Sequence, residues 1–224
     1  MATDITLLWA SGSHACWRVM IALEEKNLQG YNQKQLYFEK GEHKSKEVLE
    51  INPRGQLPAF KCGDLPLNES CAACFHLECK YKSQGTKLIP DCEDEKALIL
   101  QRVFEVNALT EKSSIVLYYN WIVPEGERHD SAVKRNKEAL TAELKLWEGY
   151  LQKASSGFIV GKNFSLADVI VYPAVAYLFQ NGLSEQRYPK LAEYYKGLMN
   201  RPSIKASWPP TWKNAPKQET LKDI

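Results

Sequence analysis

A small mixed α/β domain followed by an all-helical domain is the fold class this sequence predicts. Three observations carry the prediction. Apolar runs alternate with helical patterns up to about residue 83, strand-like runs vanish after SQGTKLIPD, and apolar residues then recur at helical spacing alone. Taken in order, Ile5–Ala10 reads as a buried strand. Cys16, Val19, Met20 and Leu23 follow at i, i+3, i+4 and i+7, which predicts a helix ending around Asn27–Gly30. Tyr31–Phe38 predicts a second strand and Ser45–Glu50 a short helix, with Asn52-Pro53 as a breaker. Ala59–Cys62 and Leu65–Asn68, joined at Gly63-Asp64, predict a hairpin, and a helix over about Ser70–Tyr81 completes a βαβ-ββα order in residues 1–82.

Residues 83–91 read as a linker and 92–224 as the helical domain. Leu100, Val103, Phe104 and Asn107 are expected on one face of a long helix that Pro124 ends, and Leu140, Leu144, Trp147 and Leu151 repeat the spacing. Ser165-Leu166-Ala167-Asp168 has the S-x-x-D form of a capping box before an apolar run, so Ser165 and Asp168 are expected to start a helix. Leu191, Tyr194, Tyr195 and Leu198 mark a last helix before Arg201-Pro202. The tail ASWPPTWKNAP predicts an extended segment packed on the surface.

Composition excludes several function classes. The 224 residues are 44% hydrophobic, which suits a buried core, and carry a net charge of +2, too small to argue for nucleic acid. No basic run points to a membrane surface, and no apolar run is long enough to span a bilayer. The N-terminal stretch MATDITLLWASGSH lacks a positively charged region before its short apolar run and reads as a strand rather than a signal peptide. Six cysteines in a chain of this length do not make a disulfide scaffold. The expectation is a soluble cytoplasmic protein.

Chemistry is concentrated in WASGSHACWR, residues 9–18, where a strand hands over to a helix. Ser13 is spaced from Cys16 as the two cysteines of a C-x-x-C pair would be. A serine needs an adjacent base to act as a nucleophile, and neither a G-x-S-x-G elbow nor an ordered triad is present. Ser13 is instead either merely an N-cap or a hydrogen-bond donor to a ligand. Ser11 reads as a turn residue or a second such contact. His14 reads as a turn residue or pocket wall rather than a base, and Cys16 as a small hydrophobe packed inside the first turn. Cys71, Cys74, His76 and Cys79 superficially resemble a metal cluster. At about 100° per residue, however, one helix cannot aim all four at one ion, so no metal site is assigned.

The βαβ-ββα layout followed by a helical domain, together with GSHACWRV, GEHK, NPRGQLP, NES and SLAD in order, is similar to the cytosolic glutathione transferases of the serine type. The wording CWRVMIALEEKNLQGY, VPEGER, RNKEALTAELKLWEGYL and RPSIKASWPP most resembles their rho class. His14-Ala15 departs from the pattern, since related sequences often carry proline there. The resemblance covers almost the whole chain and implies a thioredoxin-like N-terminal domain, an all-α C-terminal domain, and a homodimer. It implies a transferase that joins reduced glutathione to hydrophobic electrophiles, in detoxification, with no nucleic-acid or membrane partner. Glutathione is then a co-substrate, and no cofactor is implied.

The resemblance also implies residue roles. Ser13 would donate its O–H to the glutathione sulfur. A free thiol with a pKa of about 8.5 is only a few per cent ionised at neutral pH. Lowering it by about two units takes roughly 2.7 kcal/mol. A hydrogen bond to a charged group supplies roughly 1.5–3 kcal/mol, and the positive end of a helix about 0.3–1 more, so hydroxyl and helix together suffice. A cis Leu57–Pro58 bond would open Leu57 to pair with the cysteinyl unit, with Gln56 a weaker contact. Glu69 and Ser70 would hold the γ-glutamyl ammonium and carboxylate. His43 would take the glycyl carboxylate, with Lys40 and Lys44 as possible substitutes, and Arg18 is a site residue or a helix-surface charge. The electrophile is expected in an apolar cleft lined by Trp9, Ala10 and His14 with Asn107, Glu111, Tyr118, Tyr119 and Trp121, over which Trp208 and Trp212 fold. Two other readings stay open: a non-catalytic binding or structural protein of the same fold, and a glutathione-dependent thiol transferase acting through Cys16.

Overall fold

The computed structural model describes residues 2–213 and 215–224. Met1, in the N-terminal stretch, and Asn214, in the tail, lie outside the described residues. Two compact units are present: the described residues of Met1–Pro90 with Asn200–Ala215, and Asp91–Met199 with Pro216–Ile224.

The first unit is built on a four-stranded sheet of order β2-β1-β3-β4, with β1 at Ile5–Trp9, β2 at Asn32–Gln35, β3 at Ala59–Cys62 and β4 at Leu65–Leu67. β1 runs parallel to β2 and antiparallel to β3, with Leu7 opposite both Gln33 and Phe60. β3 and β4 form the expected hairpin. Ile5, Leu7, Leu8, Trp9 and Ala10 are all buried, the mark of a strand covered on both faces. α1 (His14–Glu25) buries Cys16, Trp17, Val19, Ile21, Ala22 and Leu23 and packs against α3 (Ser70–Lys80). α2 spans Lys46–Ile51.

β2 is shorter than the Tyr31–Phe38 run suggested. The Tyr37 N–H, which a longer ladder would use, donates to the Glu42 carboxylate at 2.8 Å, and the chain turns through two short 3-10 segments at Phe38–Lys40 and Glu42–Lys44. A charged pair lies deep in this unit. Lys26, fully buried, meets Glu78, which also accepts the N–H groups of Leu88 and Ile89.

The second unit contains α4 (Glu93–Leu117), α5 (Tyr119–Ile122), α6 (Asp130–Lys153), α7 (Leu166–Gln180) and α8 (Pro189–Leu198). α7 is buried almost all round and forms the centre, against α4 and α8. Its start is the expected capping box. The Ser165 N–H donates to Asp168 Oδ2 at 2.9 Å, while Asp168 Oδ1 accepts from the Ile159 N–H at 2.9 Å and the Tyr194 hydroxyl at 3.2 Å. The face of α4 needs correction: Phe104 is 69% exposed and Asn107 is exposed, because the buried stripe runs through Ile99, Val103, Val106 and Leu109. α4 also ends at Leu117, well before Pro124. No helix among the described residues is long and apolar enough to cross a membrane.

Residues 200–215 do not follow the 92–224 boundary, and the tail is not simply extended. α9 (Pro202–Ala206) and a 3-10 turn at Pro210–Trp212 pack in the first unit. The reason is an aromatic cluster. Buried Trp17 donates its indole N–H to Ser207 at 2.9 Å and meets Trp208 and Trp212 edge-on, with centroids 5.2 and 5.4 Å away. Arg201 adds a two-pronged ion pair to Glu25, at 2.6 and 2.8 Å. Burial alone pushes the Glu25 carboxyl up, but Arg201, Ser203 and Thr86 together hold it below its ordinary value.

Candidate active site

Ser13 stands where β1 ends and α1 begins. Its backbone is extended (φ −74°, ψ 113°), and its Oγ accepts the Cys16 N–H at 3.3 Å, so it is the N-cap of α1. Capping uses the oxygen as an acceptor and leaves the hydroxyl proton to be donated. The two readings of Ser13 are therefore compatible. Gly12, just before it, has φ +81°, a region that favours glycine.

The neighbours of Ser13 divide by burial. Cys16 is fully buried, and burial pushes its thiol up to about 11, against hydrogen bonds from Ser13 and Ala10. His14 is half-buried; desolvation, and secondarily the Arg18 guanidinium, push its pKa down to about 3. That favours the neutral imidazole. His14→Gln is therefore expected to leave the pH profile of the rate unchanged between about pH 5 and 9, where an unperturbed histidine would titrate; a profile lacking one ionisation in the variant contradicts this. Trp9 and Ala10 are buried, and they line a narrow crevice with Ser11, Gly12 and Ser13.

Arg18 is not a helix-surface charge. It is 5% exposed, and its Nη1 donates to Ser70 Oγ at 3.3 Å and lies 3.8 Å from Cys71 Sγ. Burial lowers its hold on its proton, opposed by Cys71, Cys74 and Glu69. Ser70 is the first residue of α3, with Glu69 as the exposed N-cap. Like Ser13, Ser70 accepts from the protein and keeps a proton to donate at a helix N-terminus. Asn68 Oδ1 beside it is buried with no partner among the described residues.

The Leu57–Pro58 peptide is cis. Leu57 is buried, Gln56 is exposed, and no main-chain group among the described residues pairs with the Leu57 N–H or C=O. Asn52, which sequence reading treated only as a breaker, shapes this turn. Fully buried, it donates to the Gln56 carbonyl at 2.9 Å and accepts the Arg54 N–H at 3.1 Å. An Asn two residues before a backbone N–H it can accept is the local signal that points to such a role.

The remaining candidates are spread more widely. His43 lies in the second 3-10 turn, its ring 5.2 Å from Phe38 and its Nδ1 buried without a partner among the described residues. Lys44 already donates to the Arg54 carbonyl at 3.0 Å, and Lys40 sits 4.5 Å over the Tyr37 ring. Ser11 is bonded to Thr211, with 2.8 Å between the hydroxyls. In the second unit, Asn107 and Glu111 are exposed and Trp121 is 86% exposed. Tyr118 bonds the Tyr177 hydroxyl, and the Tyr119 hydroxyl accepts the His129 N–H at 3.0 Å, ahead of α6. The α3 residues Cys71, Cys74, His76 and Cys79 run from buried Cys74 to exposed Cys79 rather than sharing one face.

Two family models match this chain: the glutathione S-transferase N-terminal domain over residues 3–78 and the glutathione S-transferase C-terminal domain over 116–207. Glutathione S-transferase A of Pleuronectes platessa is 66% identical over 225 residues, covering all of both chains. The chain belongs to the glutathione S-transferase family. Glutathione S-transferase 1 of Zea mays is 33% identical over 84% of this chain and 87% of its own. Among solved structures, a glutathione S-transferase from the Antarctic clam Laternula elliptica superimposes with a TM-score of 0.87 at 36% identity, covering 98% of this chain and 99% of that one. The thioredoxin-like sheet and the helical unit are thus the transferase fold.

Proposed function

We propose that this glutathione S-transferase conjugates reduced glutathione to hydrophobic electrophiles, with Ser13 stabilising the thiolate. The observation that carries the reading is the Ser13 hydroxyl, which accepts from the protein at a helix N-terminus and has its proton to give. Ser70, with the same arrangement at α3, suits the γ-glutamyl carboxylate, and Glu69 its ammonium. The main chain of Leu57, without a main-chain partner among the described residues, lies beside the cis bond and suits the cysteinyl backbone, as an added strand would pair. His43 suits the glycyl carboxylate better than Lys44, whose ammonium already serves the Arg54 carbonyl. In the reaction the sulfur forms a bond to the electrophilic carbon as that carbon releases its leaving group.

Assignment to the rho class rests on the wording of four segments, and a detoxifying homodimer in the cytoplasm accords with that class. The thiol-transferase alternative is disfavoured by Cys16, whose thiol is buried and pushed to about 11, the opposite of a reactive cysteine. A purely structural role leaves the Ser13, Leu57-Pro58 and Ser70 arrangement without purpose. The test is conjugation of an aryl halide, followed by halide release, run beside exchange with a glutathione mixed disulfide. Conjugation without exchange is expected; exchange alone, or neither activity, overturns the proposal.

A further inference from the structure

We propose that Thr211 is a positioning residue for Ser13: the segment 207–213 clamps the loop joining β1 to α1 and fixes the direction in which the Ser13 hydroxyl presents its proton. The inference rests on the reading of Ser13 as thiolate donor. Among the described residues Ser13 makes only local bonds: its Oγ accepts from the Cys16 N–H, its N–H donates to the Ala10 carbonyl at 3.3 Å, and its carbonyl accepts from Trp17. The residues that bracket it are held from two hundred positions away. Ser11 Oγ accepts the Thr211 N–H at 3.1 Å and shares a 2.8 Å hydrogen bond with Thr211 Oγ1.

Gly12 lies under the Trp212 indole, so close that a Cβ there would come within 3.2 Å of its Nε1. Trp17, one helical turn beyond Ser13, donates its amide to the Ser13 carbonyl at 3.0 Å and carries both Trp208 and Trp212 on its ring. One segment thus touches residues 11, 12 and 17, immediately before Ser13 and one turn after it. Thr211 has no part in the core: its side chain is exposed, and its hydroxyl bonds Ser11. A surface hydroxyl that spans two hundred positions to reach the residue two before Ser13 has its effect at that loop. Ser11 is therefore occupied by the clamp rather than by a ligand.

The experiment titrates the ultraviolet absorbance of the bound glutathione thiolate and measures aryl-halide conjugation against pH for the wild type, Thr211→Val, Thr211→Ser and Ser11→Ala, each first shown by melting to be folded. Thr211→Val is expected to raise the bound thiol's pKa by about half a unit and Ser11→Ala, which loses both bonds, by about one unit. At about pH 6, below the bound thiol's wild-type value, kcat falls by about three-fold and eight-fold respectively, KM for glutathione stays within about two-fold, and the loss disappears at high pH where the thiol ionises unaided. Thr211→Ser, which keeps the hydroxyl, behaves as the wild type. If the wild-type protein leaves the bound thiol at its free-solution value, the Ser13 reading falls. If the wild type lowers that value and both Thr211→Val and Ser11→Ala titrate identically to it, or lose rate equally at every pH, the clamp alone is overturned.

Discussion

Replacing Ser13 with alanine is expected to slow conjugation at neutral pH by roughly 3–25-fold, with the bound thiol's pKa rising by about one to two units. These figures follow from the loss of one hydrogen bond to a charged sulfur, worth roughly 1.5–3 kcal/mol. The positive end of α1 remains in the variant and keeps part of the effect. Ser13 also caps α1, so the same substitution costs about 1 kcal/mol of stability and about 2–4 °C of melting temperature. Ser13→Thr separates the two roles: it retains an oxygen that caps and a proton that donates, and should recover most of both. A Ser13→Ala enzyme with unchanged thiol ionisation would remove the serine from the mechanism.

Asp168→Ala is expected to produce the largest loss of stability. Its carboxylate is fully buried and serves Ile159, Ser165 and Tyr194, and its removal strands buried donors on all three. Unsatisfied buried groups cost about 1–3 kcal/mol each, with partial relaxation, so a total of about 3–5 kcal/mol follows. For a chain of this size that lowers the melting temperature by roughly 6–20 °C. The pH dependence has a definite sign. Burial raises the Asp168 carboxyl to about 6 in the folded protein, against its four hydrogen bonds. A group whose folded value is raised contributes most below its unfolded value of about 3.9, and that contribution shrinks as pH rises through about 6. The gap between wild type and variant should therefore be wider at about pH 4 than at about pH 7. A melting curve that does not move would show that α7 starts without its box, and a selective loss of kcat in fully folded variant would give Asp168 a role in the reaction.

Much of the fold was legible because its signals are local. The largely continuous apolar run of β1, the i, i+3, i+4 spacing of α1 and the S-x-x-D spacing at Ser165 each lie within a few residues of what they specify. The local geometry of the candidate site was legible in the same way: the Ser13 cap, the cis Leu57–Pro58 bond and the start of α3 at Glu69-Ser70 lie on short motifs at element ends. What could not be read depends on distant partners. Arg18 looks like any helical arginine until α3 brings Ser70 over it, and Ser11 looks like a turn residue until Thr211 arrives. The face of α4 was misjudged because Phe104 and Asn107 fit the period as well as Val106 and Leu109 do, and only packing against α7 chooses between stripes.

The return of residues 200–215 to the first unit has a consequence for how the chain is made. Trp17 and Glu25 leave the ribosome long before the indoles that cover the one and the guanidinium that neutralises the other, which emerge only after residues 91–199 of the helical unit have been made. Until then α1 carries a ring without those indoles and a carboxylate without its guanidinium. Completion of α1's packing thus waits for residues 200–215, and a fragment cut at residue 90 would lack it permanently.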